Sequence, residues 1–375
     1  MATRFGFLST FPPTLCGLAT FNESLFNELI VGSSDSGAVV RVVDSPQPSI
    51  SRAVVAQLVN GDSASVGAAV KTLNAFDVVI VQHEYGIFGG ADGDEVLHVL
   101  RALKTPTIVV LHTVLSAPTE HQRYVLETVI QLATSVVTLT QTARERLATS
   151  YDADMTKVFV IPHGAQVIPR GTDVRPHSTR PTILTWGLIG RGKGIEWGID
   201  AMSKMTDMSP RPCYIVAGQT HPKVLAFEGE TYRKQLSAQV QLLGLGSSVT
   251  LENYYRPRAS LMELVRSADV VLLPYDTTEQ VTSGVLAEAV AAQKPIVATP
   301  FPHAVELLTD GAGVLVPHRD PTAIAEAIRT ILADGTGAQD LARVSDTTVA
   351  AMSWATVADS YRKLAQQSLA ERVSA

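Results

Sequence analysis

The chain has 375 residues, of which 46% are hydrophobic and 18% charged, a balance that excludes disorder and supplies apolar surface for more than one buried core. At roughly 100 to 200 residues per domain, this length predicts two or three domains. The formal net charge of -6 argues against nucleic-acid binding, because proteins that bind nucleic acid normally present a basic face.

The N-terminus and the absence of a long apolar stretch predict a cytoplasmic protein. The opening MATRFGFLSTFPPTL reaches Pro12 and Pro13 before a signal-peptide core can develop, and no stretch approaches the roughly 20 apolar residues of a membrane span. Cys16 and Cys213 lie far apart and lack metal-ligand spacing. We therefore expect neither a structural disulfide nor a zinc site.

In the first half of the chain, short apolar runs alternate with stretches of helical periodicity. The apolar runs cover residues 4–8, 39–43, 78–81, 107–111, 136–139 and 158–161. Apolar positions at helical spacing lie between them, at residues 65–73, 93–103 and 120–133. Runs of nearly continuous valine, isoleucine and leucine are typical of parallel strands buried on both faces.

The alternation lapses over residues 167–181, which are rich in proline, charge and small polar side chains, and it resumes afterwards. Strand-like runs then cover residues 182–186, 213–217, 249–252, 270–274, 295–298 and 314–317. We predict an N-terminal domain over residues 1–170 and a C-terminal domain over residues 181–350. The final segment, residues 351–375, carries a helix that either caps the second domain or crosses back to the first.

This pattern predicts an α/β fold with two doubly wound, Rossmann-like domains facing across a cleft, and the cleft is the expected ligand site. Three strand-like runs of the first half lead into His83, His112 and His163. Because ligands collect beyond the carboxyl ends of parallel strands, we expect the three imidazoles at one rim. There they can bind hydroxyl or phosphate oxygens and perform acid/base chemistry.

His112 is the preferred contact to the reacting group, and Glu84, beside His83, can accept hydroxyl protons. A hydrogen-bonded structural role is the alternative for each histidine taken singly. The turn after the first strand contains Gly17 and leads into a helix whose N-terminus can bind phosphate. The dinucleotide pattern GxGxxG is absent from this turn, which argues against a nicotinamide-dependent oxidoreductase.

The segment GLIGRGKGIE, residues 187–196, follows a strand-like run and combines four glycines with Arg191 and Lys193. Glycine allows backbone N–H groups to approach a ligand closely, so the segment predicts an anion site, most simply for phosphate. It does not match the P-loop pattern. A surface loop with solvated charges is the alternative.

The segment PYDTTEQVTSGVLAEAVAAQKPIVATP, residues 274–300, predicts a strand end, a polar loop and a helix capped by Thr282 or Ser283. Glu288 lies on that helix among apolar residues. A carboxylate in such a place needs a partner, and ribose hydroxyls or a neighbouring Arg or Lys would serve.

In this order, these pieces resemble the large retaining glycosyltransferase family numbered four, whose members have the two-domain GT-B fold. The matching features are the turn at Gly17, His112, the break after residues 161–164, the loop with Lys193, and the Glu288 helix followed by KPIVAT. The resemblance covers almost the whole chain. It implies transfer of a hexose from a nucleotide-diphosphate sugar, with GDP-mannose or UDP-glucose favoured, to a hydroxyl of a carbohydrate, polyol or lipid-linked acceptor.

The resemblance also implies roles for particular residues. The expected donor-binding residues are Gly17, Arg191, Lys193, Ser283, Gly284 and Glu288. The expected catalytic residues are His112, Gln280, Arg191 and Lys193, and those for the acceptor are His83, Glu84 and His163. No cofactor and no metal are implied, so the Asp-x-Asp sequences at residues 92–94 and 152–154 are interpreted as polar loops. No nucleic-acid partner is expected, whereas peripheral membrane contact is compatible with a lipid-linked acceptor.

One position departs from the family pattern. Gln280 stands where the family has the first glutamate of Glu-x7-Glu, eight residues before Glu288. A neutral amide can hydrogen-bond a sugar hydroxyl but cannot stabilise positive charge as a carboxylate does. We interpret Gln280 as the mark of an active subgroup, and the alternatives are a non-catalytic nucleotide-sugar binding protein or a nucleotide-sugar epimerase of related fold.

Overall fold

The computed structural model describes residues 2–48, 50–168, 180–309, 311–333 and 346–374. The chain divides into two compact units. The first comprises residues 1–164 and 354–375, and the second comprises residues 165–353. Most of the boundary segment predicted at residues 167–181 lies outside the described residues.

The first unit contains a parallel sheet of seven strands in its described part. The strands are β1 (Arg4–Ser9), β2 (Ser36–Val43), β3 (Val54–Val59), β4 (Val78–His83), β5 (Thr107–Leu111), β6 (Ser135–Thr138) and β7 (Val158–Val160), in the order β3-β2-β1-β4-β5-β6-β7. Strands β4 and β5 are buried along their whole length, as runs of valine and isoleucine predict for central parallel strands. The edge strand β3 is absent from the sequence prediction because Gln57 interrupts its apolar run and most of its residues are only half buried.

Helices connect these strands, and polar side chains cap several of them. The connecting helices are α1 (Gly17–Ile30), α2 (Ser63–Leu73), α3 (Val96–Ala102), α4 (Glu120–Leu132) and α5 (Gln141–Ser150), with short 3-10 turns at Ala91–Gly93 and Met155–Lys157. Thr119 and Gln122 form a capping box at the start of α4, so that side chains satisfy two backbone N–H groups that the helix cannot.

The second unit repeats the architecture with six described strands. They are β8 (Thr182–Trp186), β9 (Cys213–Ala217), β10 (Val249–Leu251), β11 (Val270–Leu273), β12 (Ile296–Ala298) and β13 (Val314–Leu315), in the order β10-β9-β8-β11-β12-β13. Its helices are α6 (Ile195–Ser203), α7 (Pro222–Glu228), α8 (Thr231–Leu242), α9 (Arg258–Ser267), α10 (Gly284–Ala291), α11 (Pro302–Leu308), α12 (Pro321–Ala333) and α13 (Asp346–Ala351). Successive strand residues enter opposite cores, with Leu272 in one and Leu273 in the other, so both faces of the sheet are covered.

The last helix, α14 (Trp354–Ser374), belongs to the first unit. Val357, Ala358 and Tyr361 are fully buried in the core that β1 and α1 also line. The Arg362 guanidinium donates to Asp35 Oδ2 at 3.1 Å and to the last carbonyls of α1. Among the described helices, none is long and apolar enough to cross a membrane.

We predict opposite results for two substitutions of Tyr361. Its side chain is fully buried and its hydroxyl finds no partner among the described residues. Tyr361→Phe should leave the free energy of unfolding unchanged or raise it, because no hydrogen bond is lost. Tyr361→Ala should lower it by about 3 to 5 kcal/mol, because a large cavity opens under α14. Urea denaturation followed by circular dichroism measures both variants, and equal losses would show that the hydroxyl has a partner.

Candidate functional site

The glycine-rich loop, residues 187–194, connects β8 to α6 and adopts a backbone that requires glycine. Gly187, Gly192 and Gly194 have φ angles of 117°, 84° and 62°. A Cβ atom on Gly194 would lie 1.8 Å from the carbonyl oxygen of Pro274. The loop therefore passes directly against the chain that leaves β11, which only a residue without a side chain permits.

Asp276 fastens the glycine-rich loop to the segment after β11. Its backbone N–H donates to Gly192 O at 2.9 Å. Its carboxylate accepts from Trp197 Nε1 and from Arg319 Nε, both at 3.2 Å. Asp276 gives no signal in the sequence beyond its position shortly after a strand, because its partners Trp197 and Arg319 lie far away in the chain.

Lys193 presents a half-buried ammonium group. Its Nζ lies 4.1 Å from the centre of the Tyr275 ring, an arrangement in which the negative face of the ring attracts the cation. Tyr275 is itself fully buried and stacks on Phe301. Within the described ranges, no carboxylate forms an ion pair with Lys193. The charge is therefore held in place without being neutralised.

Arg191 differs from Lys193 although the two are neighbours in the loop. Its Nε donates to Glu228 Oε2 at 3.0 Å, and its side chain is 54% exposed. The guanidinium also lies 5.5 Å from the centre of the Tyr232 ring. A ligand anion would have to compete with Glu228 for Arg191.

Helix α10 begins beside the glycine-rich loop, since a Cβ on Gly187 would lie 3.4 Å from Val285 Cγ2. Ser283 caps the helix by accepting from Leu286 N at 3.2 Å. The Ser283 amide donates to His303 Nδ1 at 2.8 Å. Ser283 and Gly284 are both expected to bind the donor, and backbone amides at a helix start are the groups that can bind its phosphates. The Ser283 amide is already used, so such a contact depends on Gly284.

Glu288 receives a hydrogen bond from the indole of Trp186, the last residue of β8, with 3.1 Å between Nε1 and Oε2. Burial raises the pKa of the Glu288 carboxyl, and the Trp186 hydrogen bond and the charge of Arg258 act in the opposite direction. The hydrogen-bond partner is an indole N–H, and Arg258 is a nearby cation of the kind considered from the sequence. The position of Trp186 at the end of a strand was the available signal.

Gln280 lies in the turn before α10. Its side-chain amide donates to Thr282 O at 3.1 Å, and its backbone carbonyl accepts from His303 N at 3.4 Å. His303 thus contacts both ends of the turn from Gln280 to Ser283. Its place in the chain, 20 residues after Ser283, gave no sequence signal for this contact.

In the first unit, the three histidines lie close together at the carboxyl end of the sheet, as expected. His112 donates its backbone N–H to His83 O at 3.1 Å. The ring of Phe21 meets those of His112 and His163 edge to face, each with 4.9 Å between ring centres. His112 Nε2 lies 2.8 Å from Gln82 Oε1, a contact that orients the imidazole.

Burial keeps all three imidazoles neutral near pH 7. It lowers the pKa of His112 to about 3, and it lowers that of His83 and of His163 to about 4. His112 and His163 therefore act as neutral hydrogen-bonding groups in this structure, whereas neither ring nitrogen of His83 finds a partner among the described residues. The near-neutral pKa considered from the sequence does not apply. His83 has no exposed surface, so its contact with an acceptor stays a prediction.

The remaining positions of the first unit singled out from the sequence lie in separate environments. Glu84 accepts a short hydrogen bond from Thr113 Oγ1, which fixes the carboxylate. Gly17 is the exposed first residue of α1, and a Cβ there would meet nothing within 4 Å. In the Asp-x-Asp sequences, Asp92 pairs with His121 and Asp154 caps a 3-10 turn.

Residues 180–334 match the family model described as glycosyl transferases group 1. The matched region lies within the second unit and includes the glycine-rich loop, the turn at Gln280 and α10. No curated protein sequence matches the chain.

Solved structures match the chain over nearly its full length. HepE of Anabaena, in complex with UDP, is 18% identical with a TM-score of 0.70, and 99% of each chain is covered. Sucrose-phosphate synthase from Thermosynechococcus elongatus is 18% identical with a TM-score of 0.74, covering 98% of this chain and 100% of that one. A UDP-forming α,α-trehalose-phosphate synthase from Burkholderia xenovorans is 16% identical with a TM-score of 0.69, covering 98% and 99%. At these identities the likeness concerns the fold, and the expected α/β GT-B fold class is confirmed.

We predict that Gly194→Ala destabilises the second unit by about 2 to 4 kcal/mol, because alanine disfavours the positive φ and its Cβ would collide with Pro274 O. Gly67→Ala is the matched control, since Gly67 lies inside α2 with nothing within 4 Å of the added Cβ. It should be neutral or stabilising by about 0.5 to 1 kcal/mol. Urea denaturation of both variants provides the measurement. Equal stability of the two would mean that the loop does not pass as closely to Pro274 as described.

We also predict that Trp186→Phe raises the pKa of Glu288 further, because it removes the N–H that stabilises the carboxylate. Trp197→Phe is the control, since the indole of Trp197 bonds to Asp276. The carboxyl ¹³C shift of Glu288, assigned with Glu288→Gln and followed against pH, reports the titration. A midpoint that stays in place or falls in Trp186→Phe would contradict the assignment.

Proposed function

We propose that the protein is a cytoplasmic, retaining glycosyltransferase of family four that transfers a hexose from a nucleotide-diphosphate sugar to an acceptor hydroxyl. One observation carries the proposal: the Lys193 ammonium is half buried and has no carboxylate partner in the described part of the chain. It lies in a glycine-rich loop next to the start of α10, within the region that matches the glycosyl transferases group 1 model.

Glycosyl transfer develops negative charge on the departing diphosphate, so a fixed cation beside that group stabilises the transition state. Lys193 is suited to this role because the Tyr275 ring orients it while leaving its charge unneutralised. Each charge-assisted hydrogen bond contributes about 1.5 to 3 kcal/mol. Arg191 adds a second cation once the diphosphate displaces Glu228, and the Gly284 amide adds a donor from the N-terminus of α10.

Glu288 is proposed to hold the ribose of the donor. Trp186 occupies Oε2, and the carboxylate oxygens accept hydrogen bonds from the ribose hydroxyls. HepE has been crystallised with UDP-glucose, and the trehalose-phosphate synthase is described as UDP-forming. These likenesses support UDP-glucose over GDP-mannose as the first donor to test.

For the acceptor we propose a carbohydrate, polyol or lipid-linked hydroxyl bound by the first unit. The neutral imidazole of His112, oriented by Gln82, would contact the transferred sugar, with Glu84 and His163 close by. By resemblance to the family, a leaving phosphate oxygen takes the acceptor proton and no metal takes part. Gln280 would bind a sugar hydroxyl through its amide without stabilising charge on the sugar carbon.

Lys193→Ala tests this proposal. We expect a fall in the transfer rate of about 10²-fold or more, with an unchanged melting temperature, because the variant loses a cation that acts on the leaving group. Lys234→Ala, which removes an exposed lysine from α8, is the matched control and should keep full activity. The assay measures UDP release from UDP-glucose and GDP release from GDP-mannose, with and without a panel of sugar and polyol acceptors.

Equal rates for Lys193→Ala and the wild type would refute the assignment of the leaving-group site. Nucleotide binding without any release would favour the non-catalytic binding protein, and conversion of the sugar without release would favour an epimerase.

A further inference from the structure

Arg41, in strand β2 next to the edge strand of the first sheet, carries a charge that the described protein does not balance. The residue has no exposed surface. Its Nη2 donates to the side chain of Gln47, whereas Nε and Nη1 find no partner among the described residues. No carboxylate pairs with it there either. A buried guanidinium with unused donors is costly unless an anion is available to it.

Arg41 lies in a row of polar residues that crosses four strands. In the parallel register Arg41 stands opposite Ser9 on one side and opposite Gln57 on the other. Leu8 of β1 pairs with Val81 of β4, so the next residues along these strands, Ser9 and Gln82, also lie side by side. Neighbours in register share one face of a sheet, so β3, β2, β1 and β4 each contribute one polar side chain to this row.

Several members of the row share the incomplete hydrogen bonding of Arg41. Ser9 Oγ and Gln82 Nε2 are buried without a partner in the structure as described. The residues two positions earlier, Phe7 and Ile80, pack in the core that α1 lines, which places the row on the face covered by α1. On α1 itself, both amide atoms of Asn22 are buried and unpaired. The unused atoms are mostly N–H and O–H donors, which is the composition of an oxyanion site.

We propose that Arg41, Ser9, Gln82 and Asn22 form a binding site for a phosphate monoester, and that this group belongs to a phosphorylated acceptor. The second half of the proposal rests on the proposed function. Phosphate offers three terminal oxygens, which suits several donors better than the two oxygens of a carboxylate.

The placement fits an acceptor of the size of a sugar phosphate. Gln82 is a member of the row, and its side-chain oxygen also lies 2.8 Å from His112 Nε2. Adjacent strands are about 4.8 Å apart, so the Cα atoms of Arg41 and Gln82 are about 10 Å apart across two strand spacings. A phosphate at Arg41 would therefore leave the sugar ring close to His112.

Gln47 occupies the position from which an anion would approach. It lies on an exposed loop, residues 44–48, and bonds to Arg41 through a neutral amide oxygen. A phosphate would replace this contact with charge-assisted hydrogen bonds, which are roughly twice as strong. Ligand entry thus requires the side chain of Gln47 to move away from Arg41.

Thermal unfolding in phosphate and in chloride at matched ionic strength tests the site. At about ten times the dissociation constant, phosphate should raise the melting temperature of the first unit by about 3 to 6 °C. The Lys193→Ala background removes the competing phosphate site proposed in the second unit, and the shift should persist there. Arg41→Met should abolish the shift while leaving the melting temperature in chloride equal or higher, because it removes an unpaired buried charge. Arg52→Met, at an exposed position, is the control with the same charge change and should retain the shift.

An absent phosphate shift in the Lys193→Ala protein, or an equal shift in Arg41→Met, would overturn the anion site. Should Arg41→Met fail to fold, wild-type crystals soaked in tungstate decide the question. Anomalous scattering beside Arg41 Nε and Nη1 supports the site, and its absence there refutes it.

A kinetic experiment tests separately whether the bound phosphate belongs to the acceptor. With the donor that supports release, glucose 6-phosphate should give a KM at least about 30-fold below that of glucose, and Arg41→Met should remove that difference. Equal KM values would confine Arg41 to an anion site unrelated to the acceptor. If no nucleotide is released at all, the proposed function fails, whereas the phosphate shift still judges the anion site.

Discussion

The attraction between the Lys193 ammonium and the face of the Tyr275 ring holds the cation of the second unit's candidate site in place. The two groups belong to different strand ends and come together because Gly194 lets the glycine-rich loop lie against the carbonyl of Pro274. Asp276 secures the same junction through Gly192, Trp197 and Arg319. A cation held this way keeps its position without a counter-charge, and it therefore remains available to an anion from solution.

The start of α10 shows how backbone donors are divided between structure and ligand. His303 takes the Ser283 amide, and the Ser283 hydroxyl takes the Leu286 amide. These contacts use groups that the helix leaves unsatisfied and they fix the turn that contains Gln280. The donors available to a ligand at a helix start are thus determined by tertiary neighbours as well as by helix geometry.

The sequence predicted those parts of the molecule that depend on local pattern. Runs of valine and isoleucine located the central strands, and the glycines of residues 187–194 indicated a loop with an unusual backbone. Strand β3 was missed because it is a half-exposed edge strand without a continuous apolar run.

The parts that depend on distant contacts could not be read in advance. Nothing near Arg191 in the sequence shows that Glu228 neutralises it while Lys193 stays unpaired. The low pKa values of the histidines arise from burial, which the sequence does not quantify. The row of Ser9, Arg41 and Gln82 depends on strand order and register, and those emerge only when the sheet is assembled.

The route of the chain has a consequence for biosynthesis. Because α14 completes the core of the first unit, that core combines residues that precede the second unit in the chain with residues that follow it. On the ribosome, all residues of the second unit are made before Tyr361 and its neighbours emerge. The second unit can therefore fold completely while the first unit still lacks the helix that covers one side of its core. During that interval, the exposed apolar surface of β1 and α1 is accessible to chaperones and prone to misassembly.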